Sequence, residues 1–247
     1  MMKRIAGQGN QSRSRRQGDQ TRSRRQGQQQ GNGTKKQKRW GTVVYIAVLL
    51  SAILITVSVA TVNKYMRSLN YPTPYYELVQ EFSKKYNVEI PLIYAIMKAE
   101  SRFDTNAVSP AGAYGLMQIM PDTAEGIARD LKVKDYDDSL LLDPRYNIEF
   151  GSWHINWLMK RENLHYAEGG ENIETIAAAY NAGHSNVEKW LKDLRYSSDG
   201  KTLKRIPFGE TDTYVQRVKD NYHEYKIIFD EIDKENNKSF IERVLRK

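Results

Sequence analysis

An all-α fold, mainly or wholly helical, is predicted by three features of this 247-residue sequence. Apolar residues recur at three- and four-residue spacing behind prolines and capping residues. Clusters such as Ser109-Pro110-Ala111-Gly112 and Glu168-Gly169-Gly170 separate those runs, and alternating strand patterns are scarce. One uncharged apolar stretch is long enough to be a helix of another kind.

In chain order, residues 1–41 come first, and as far as residue 39 their only apolar side chains are Met1, Met2, Ile5 and Ala6. Gln, Gly, Ser and Arg cannot bury enough surface to offset the entropy of ordering, so the composition predicts a disordered tail. QSRSRRQG at 11–18 recurs as QTRSRRQG at 20–27, a duplication too polar and too short to build a solenoid. Residues 1–40 hold 12 Lys and Arg against the single acid Asp19, a charge of +11, so the other 207 residues net −3 to give the total of +8. The basic character therefore belongs to the tail, and no nucleic-acid partner is expected for the folded part, whose footprint would be a basic domain. The tail itself reads as a solvated, topology-setting segment or, more sharply, as a polybasic contact for anionic lipid or nucleic acid.

Thr42–Val62 is the uncharged stretch: 21 residues, 12 of them Val, Ile or Leu. At about 1.5 Å per residue it covers roughly 30 Å of hydrocarbon, which predicts a single-pass transmembrane anchor. Lys35, Lys36, Lys38 and Arg39 precede it and only Lys64 and Arg67 follow, so the N-terminus is expected in the cytoplasm and the C-terminal part outside the cell membrane. The competing reading is a cleavable signal peptide with Ser58-Val59-Ala60 as its site, but the apolar run exceeds the usual ~7–15 residues. Residues 63–72 form a polar linker that, fully extended, reaches about 35 Å from the bilayer.

Residues 73–230 then have the length of one domain. Thr73 is expected to cap a helix that has Pro74 at its first position and runs through Leu78, Val79 and Phe82. Another starts at Pro91. Further helical patterns lie at Thr123–Leu131, Asn147–Met159, Ile173–Ala182, Asn186–Leu191 and Asp212–Ile232. Residues 231–247 form a charged C-terminal segment with an apolar minority, Phe240, Ile241, Val244 and Leu245, read as a peripheral helix or frayed end.

The helix from Pro91 to Ser101 carries the chemical interest. At 100° per residue, Ile93, Ile96, Met97 and Glu100 share one face, so the acid extends the stripe that should turn to the core. Desolvation and the negative end of the helix dipole both raise the pKa of such a Glu, as a general acid requires. Periodicity alone also allows an inward Glu neutralised by Lys or Arg, or one that reaches solvent past the helix end.

Glu100-Ser101 is followed by Ser109, Gly112, Gly115-Leu116-Met117-Gln118, Ile119-Met120-Pro121 and Thr123-Ala124, then by Ala179-Tyr180-Asn181-Ala182-Gly183, Glu210-Thr211 and Tyr214-Val215. In this order and spacing the blocks resemble the lytic transglycosylases of the soluble, goose-lysozyme-related type, from about residue 75 to 225. The resemblance implies a lysozyme-like helical domain with a cleft for peptidoglycan glycan strands. Glu100 matches the family's single catalytic acid. Ser109, Gln118 and Met120 would line the sugar subsites beside it, Tyr180 and Asn181 the opposite wall, and Tyr214 would hydrogen-bond near the Glu100 carboxyl. Ser101, Gly115 and Met117 would support this arrangement, although Met117, Met120 and Tyr180 could equally fill the core.

The reaction so implied cuts the bond from N-acetylmuramic acid to N-acetylglucosamine and leaves a 1,6-anhydro end, with no cofactor. A muramidase using water needs a second carboxylate about 5–9.5 Å away, for which Asp104, Glu210 and Asp212 are candidates. A non-catalytic wall-binding scaffold is the reading from another class. The absence of Cys excludes disulfides, iron–sulfur clusters and thiol catalysis, and His154, His165, His184 and His223 show no paired metal-ligand spacing.

Overall fold

The computed structural model describes residues 11–161 and 172–245, with side-chain surroundings for 40–161 and 172–237. The expected turn at Glu168-Gly169-Gly170 and the helical character of the last two residues fall outside that range. The chain divides into two compact units, Met1–Met66 and Arg67–Lys247.

In the first unit the described backbone is one helix, α1 (Gln11–Asn70), which runs on into the first residues of the second. The sequence reading has disorder to residue 41, whereas the helix begins at Gln11. Gln and Arg have helix propensities close to that of Ala and no proline interrupts the stretch, although Gly18, Gly27, Gly31 and Gly33 each oppose the helix by about 1 kcal/mol. Trp40–Asn70 is long and apolar enough to cross a membrane. Every residue from Thr42 to Val62 is exposed, and Ser51, Thr56 and Thr61 turn their hydroxyls back onto carbonyls of their own helix, at 2.8 Å in each case.

The second unit contains α2 (Tyr76–Tyr86), α3 (Ile90–Glu100), α4 (Pro121–Leu131), a 3₁₀ turn (Asp138–Leu142), α5 (Pro144–Met159), α6 (Ile173–Ala182), α7 (His184–Leu191) and α8 (Gly209–Leu245). Among the described residues there is no strand, only isolated bridges from Tyr114 to Val108 and to Ile119. Several starts differ from expectation: α4, α7 and α8 begin at Pro121, His184 and Gly209, ahead of Thr123, Asn186 and Asp212, and the starts of α2 and α5 move too. Thr73 and Pro74 do not open α2, because Tyr75 is left-handed (φ 58°) and the helix begins after it; the Pro74 carbonyl instead accepts the Tyr94 hydroxyl at 3.0 Å. α5 starts at Pro144 rather than Asn147, capped by Asp143, whose side chain accepts the Arg145 N–H at 2.7 Å.

α3 is the central element. Pro91 through Met97 are all buried, so the helix is apolar on every side and must be enclosed by others. α8 covers one side: Tyr225 stacks on Tyr94 at 5.1 Å, and the Asn221 amide donates to the Ala95 carbonyl at 3.3 Å. α6 joins α8 through the Lys219–Glu174 ion pair at 2.7 Å. α2 meets α5 through Arg145–Glu81 and Lys85–Glu149, both at 2.5 Å. Such surface pairs are worth at most about 1 kcal/mol each, so burial of α3 is the larger source of stability.

Candidate active site

Glu100 is the last residue of α3. The helix cannot continue because Arg102 and Phe103 have positive φ, 52° and 70°. Ser101 fixes that exit: its hydroxyl accepts the Phe103 N–H at 3.1 Å and donates to the Leu116 carbonyl at 2.8 Å, tying the end of α3 to the loop before α4. The Tyr214 hydroxyl, from α8, donates to Glu100 Oε1 at 2.7 Å. Burial pushes the Glu100 carboxyl up to about 7, while the Tyr214 hydrogen bond and the Arg217 charge pull it down by less. Arg217 lies with its guanidinium 5.9 Å from the centre of the Tyr214 ring. A half-buried carboxyl whose pKa is raised to about 7 fits proton donation; a carboxylate clamped by a permanent cation would be shifted the other way.

The loop from Ala107 to Met120 is tied to the end of α3 through Leu116. Ser109 closes its turn: the backbone donates to the Ala113 carbonyl and the hydroxyl accepts the Ala113 N–H, both at 2.9 Å. Gly115 has φ 73°, and a Cβ there would overlap the Leu141 carbonyl and the Asn147 side-chain amide, so both its conformation and its surroundings require glycine. Gln118 is also left-handed (φ 48°), and its amide nitrogen donates to the carbonyls of Ala107 (3.1 Å) and Gly115 (2.9 Å). With both donors committed, its amide oxygen is what it offers a ligand. Met117 is wholly buried against Gly151, as core filling, whereas Met120 is 41% exposed at the start of α4.

Sequence reasoning did not find the residue that pins this loop. Asn147 on α5 is 1% exposed, accepts the Met117 N–H at 2.7 Å and donates to the carbonyls of Tyr114 (2.9 Å) and Leu141 (2.7 Å). A polar residue at a buried helical position is the one local signal that could have marked it.

The Tyr180 hydroxyl donates to the Met117 carbonyl of this loop at 2.8 Å, and burial raises its pKa well above the ordinary value. Asn181 is exposed, and its side-chain oxygen accepts the buried Thr211 hydroxyl at 2.8 Å. Thr211 and Arg217 are further residues to which the sequence reading assigned no role. The candidate second acids sit elsewhere in character: Asp104, Glu210 and Asp212 are all exposed, and the Asp104 carboxylate caps the Asn106 N–H at 2.9 Å. Among the described residues, no carboxylate is among the groups that shift Glu100. Among the described residues, no group of three or more His, Cys, Asp and Glu could hold a metal ion.

The family model of the transglycosylase SLT domain matches residues 77–203, just over half of the chain. The chain belongs to this SLT transglycosylase family. The soluble lytic murein transglycosylase of Escherichia coli K12 is 35% identical over 161 residues, which are 63% of this chain and 24% of that protein. The membrane-bound lytic murein transglycosylase C of Yersinia pestis is 31% identical over 172 residues, covering 61% of this chain and 47% of that protein. The crystal structure of the 70 kDa soluble lytic transglycosylase of E. coli superposes with a TM-score of 0.56 at 28% identity, over 66% of this chain and 26% of that one, and the same enzyme has been solved with bulgecin A. The chain thus spans about a quarter of its soluble relatives. The helical, lysozyme-like architecture is that of the SLT family. Its matched region includes Glu100, the loop and Tyr180-Asn181 but stops before α8, so Thr211, Tyr214 and Arg217 reach the site from outside it.

Proposed function

We propose that the protein is a membrane-anchored lytic transglycosylase of peptidoglycan, with Glu100 as its one catalytic acid. The observation that carries this reading is the half-buried Glu100 carboxyl, pushed up to about 7 by desolvation and bonded to Tyr214 at 2.7 Å. Because Tyr214 donates to Oε1, the acidic proton sits on Oε2. That proton passes to the oxygen joining N-acetylmuramic acid to N-acetylglucosamine, and the leaving sugar departs through an oxocarbenium-like state that the neighbouring N-acetyl group stabilises. The Glu100 anion, steadied by Tyr214 and Arg217, then removes the proton of the muramyl 6-hydroxyl, whose oxygen closes on the anomeric carbon. An internal nucleophile has a large effective concentration and needs no activated water.

In this reading Ser109, Gln118 through its amide oxygen, and the exposed Met120 contact the sugars on one side, with Tyr180 and Asn181 on the other. Ser101, Gly115 and Met117 hold the loop in place. Digestion of purified peptidoglycan by the full chain in detergent should release fragments lighter by one water than hydrolytic ones. Reducing ends would overturn cyclisation and favour a muramidase, with Asp104, Glu210 or Asp212 as the second acid. Binding to wall material without release would favour a scaffold.

The anchor reading rests on the exposed apolar helix of Trp40–Asn70 and on the basic residues before it. The chain has no cysteine, so single cysteines introduced at position 20 and at position 205 report topology cleanly. An impermeant thiol reagent on intact cells should reach only the latter; labelling of position 20 would reverse the orientation, and loss of that site from the mature chain would reveal signal cleavage.

A further inference from the structure

Thr211, Tyr214 and Arg217 follow one another along α8 at three-residue spacing, on successive turns of the same side of the helix. The first two are committed: the Thr211 hydroxyl to Asn181 at 2.8 Å, the Tyr214 hydroxyl to Glu100 at 2.7 Å. Arg217 is exposed, and its guanidinium lies 5.9 Å from the centre of the Tyr214 ring, where its charge acts on the Glu100 carboxyl. The charged groups that follow it on α8 turn elsewhere: Lys219 pairs with Glu174 at 2.7 Å, and Asp220 acts on Tyr71. Among the described residues no acid pairs with Arg217, so a positive charge stands unneutralised beside the proposed catalytic acid. In the free enzyme that charge works against the chemistry, because it favours the Glu100 anion when a general acid must hold its proton. A substrate that brings its own anion to Arg217 removes this opposition when the proton is needed.

We propose that Arg217 receives the free carboxylate of the lactyl group on the muramyl residue at the bond cut, and so directs the enzyme to glycan strands already stripped of their stem peptides. The inference rests on the peptidoglycan reading above. The lactyl ether is on C3 of the same ring whose C1–O bond is broken at Glu100, so its carboxylate comes within one sugar ring of the acid. The carboxylates of an intact stem peptide lie farther out, beyond amide bonds. In a peptide-bearing strand the lactyl group is itself an amide and carries no charge. A planar guanidinium binds a carboxylate through two parallel N–H···O bonds, and Arg217 has no protein acid to displace before it does so. Outside the basic tail the chain nets −3, so Arg217 is not one member of a generally basic surface that would draw any anion. The substrate is then the product of an amidase, which adds water across the lactyl amide, releases the peptide and leaves the carboxylate on the glycan.

The test uses the full chain in detergent on two forms of the same peptidoglycan, one intact and one freed of peptides by an amidase. The parent should have a KM about tenfold lower on the peptide-free strands. Arg217→Gln should bring that ratio to about one, Arg217→Lys should keep part of it, and Arg217→Glu should invert it. Because loss of Arg217 also touches the Glu100 anion, kcat should change by the same factor on both forms, and the KM ratio reads the carboxylate alone. In the Glu100→Gln background, calorimetry should show Arg217→Gln weakening a peptide-free muramyl hexasaccharide about tenfold while binding of chitohexaose, which has no lactyl group, stays the same. This second measurement decides the matter should the single variants be inactive. Equal KM for both forms in the parent, or a ratio that Arg217→Gln leaves in place, overturns the assignment. A parent preference for intact strands that Arg217→Gln removes overturns it too, and gives the guanidinium to a stem-peptide carboxylate instead. The two readings fail separately: Arg217-dependent binding of the muramyl hexasaccharide without anhydro products sinks the reaction and keeps the carboxylate site, whereas anhydro products formed with KM indifferent to Arg217 sink the site and keep the reaction.

Discussion

Thr42–Val62 and Ile90–Glu100 are both apolar helical segments, yet their surroundings are opposite. In the first, every residue is exposed, Leu54 by 67%, and the length matches a bilayer. In the second, only 11 residues long, Leu92 to Met97 have no exposed surface at all, because α8 and its neighbours enclose them. Apolarity therefore says that a helix must leave water, while length and packing say what replaces the water. The second case has a chemical consequence that the first lacks: a helix enclosed over Pro91 to Met97 ends in the half-buried Glu100, and that burial raises the carboxyl pKa to about 7.

The comparison can be broken in several places. The largest effect is expected from Glu100→Gln, which keeps the shape of α3 and removes its acid; release of peptidoglycan fragments should fall by about 10²–10⁴-fold or more. Unchanged turnover would place the chemistry elsewhere. Next, Ile96→Ala should destabilise the domain by about 2–5 kcal/mol in urea unfolding, whereas Ile53→Ala should leave domain unfolding unaltered. Equal effects would erase the distinction between the two helices.

A third effect concerns stability and pH. The folded pKa of Glu100, about 7, lies above its ordinary 4.5, so its protonated form supports the fold fully below about 4.5 and that support is lost as pH rises through 7. Glu100→Gln should thus be more stable than the parent above pH 7, by up to roughly 3 kcal/mol, with the difference vanishing near pH 4. A pH-independent difference would mean that the carboxyl is not desolvated. The smallest effect is on the rate profile. Activity of the parent should decline above about pH 7 as the acid ionises, and Tyr214→Phe should move that decline to higher pH, since the lost hydrogen bond had favoured the anion. Movement to lower pH would contradict the assigned hydrogen bond.

Much of the helical frame was legible along the chain. Ile173–Ala182 is predicted and observed with the same bounds, and α3 starts where Pro91 places its first turn. Tyr75 was not legible, because a left-handed tyrosine carries no sequence signature, and so α2 begins later than Thr73 and Pro74 suggest. The 3₁₀ turn of Asp138–Leu142 escaped for a similar reason, being too short for periodicity to register. At the site, a polar residue on an apolar stripe pointed to Glu100 from sequence alone, but Asn147 holds the loop at Met117 and Tyr114, 30 and 33 positions back along the chain, and Arg217 acts on Glu100 from α8.

By itself the sequence determined which segments leave water and where an acid sits among them, since hydrophobic spacing, proline placement and charge are properties of neighbours along the chain. Only the tertiary structure decided that Arg217 also acts on the Glu100 carboxyl, that Asn147 pins the loop at Met117 and Tyr114, and that Gln118 spends its donors on backbone carbonyls. Desolvation and hydrogen-bond commitment depend on which distant atoms approach a group in space, and that approach is settled when α3 is enclosed.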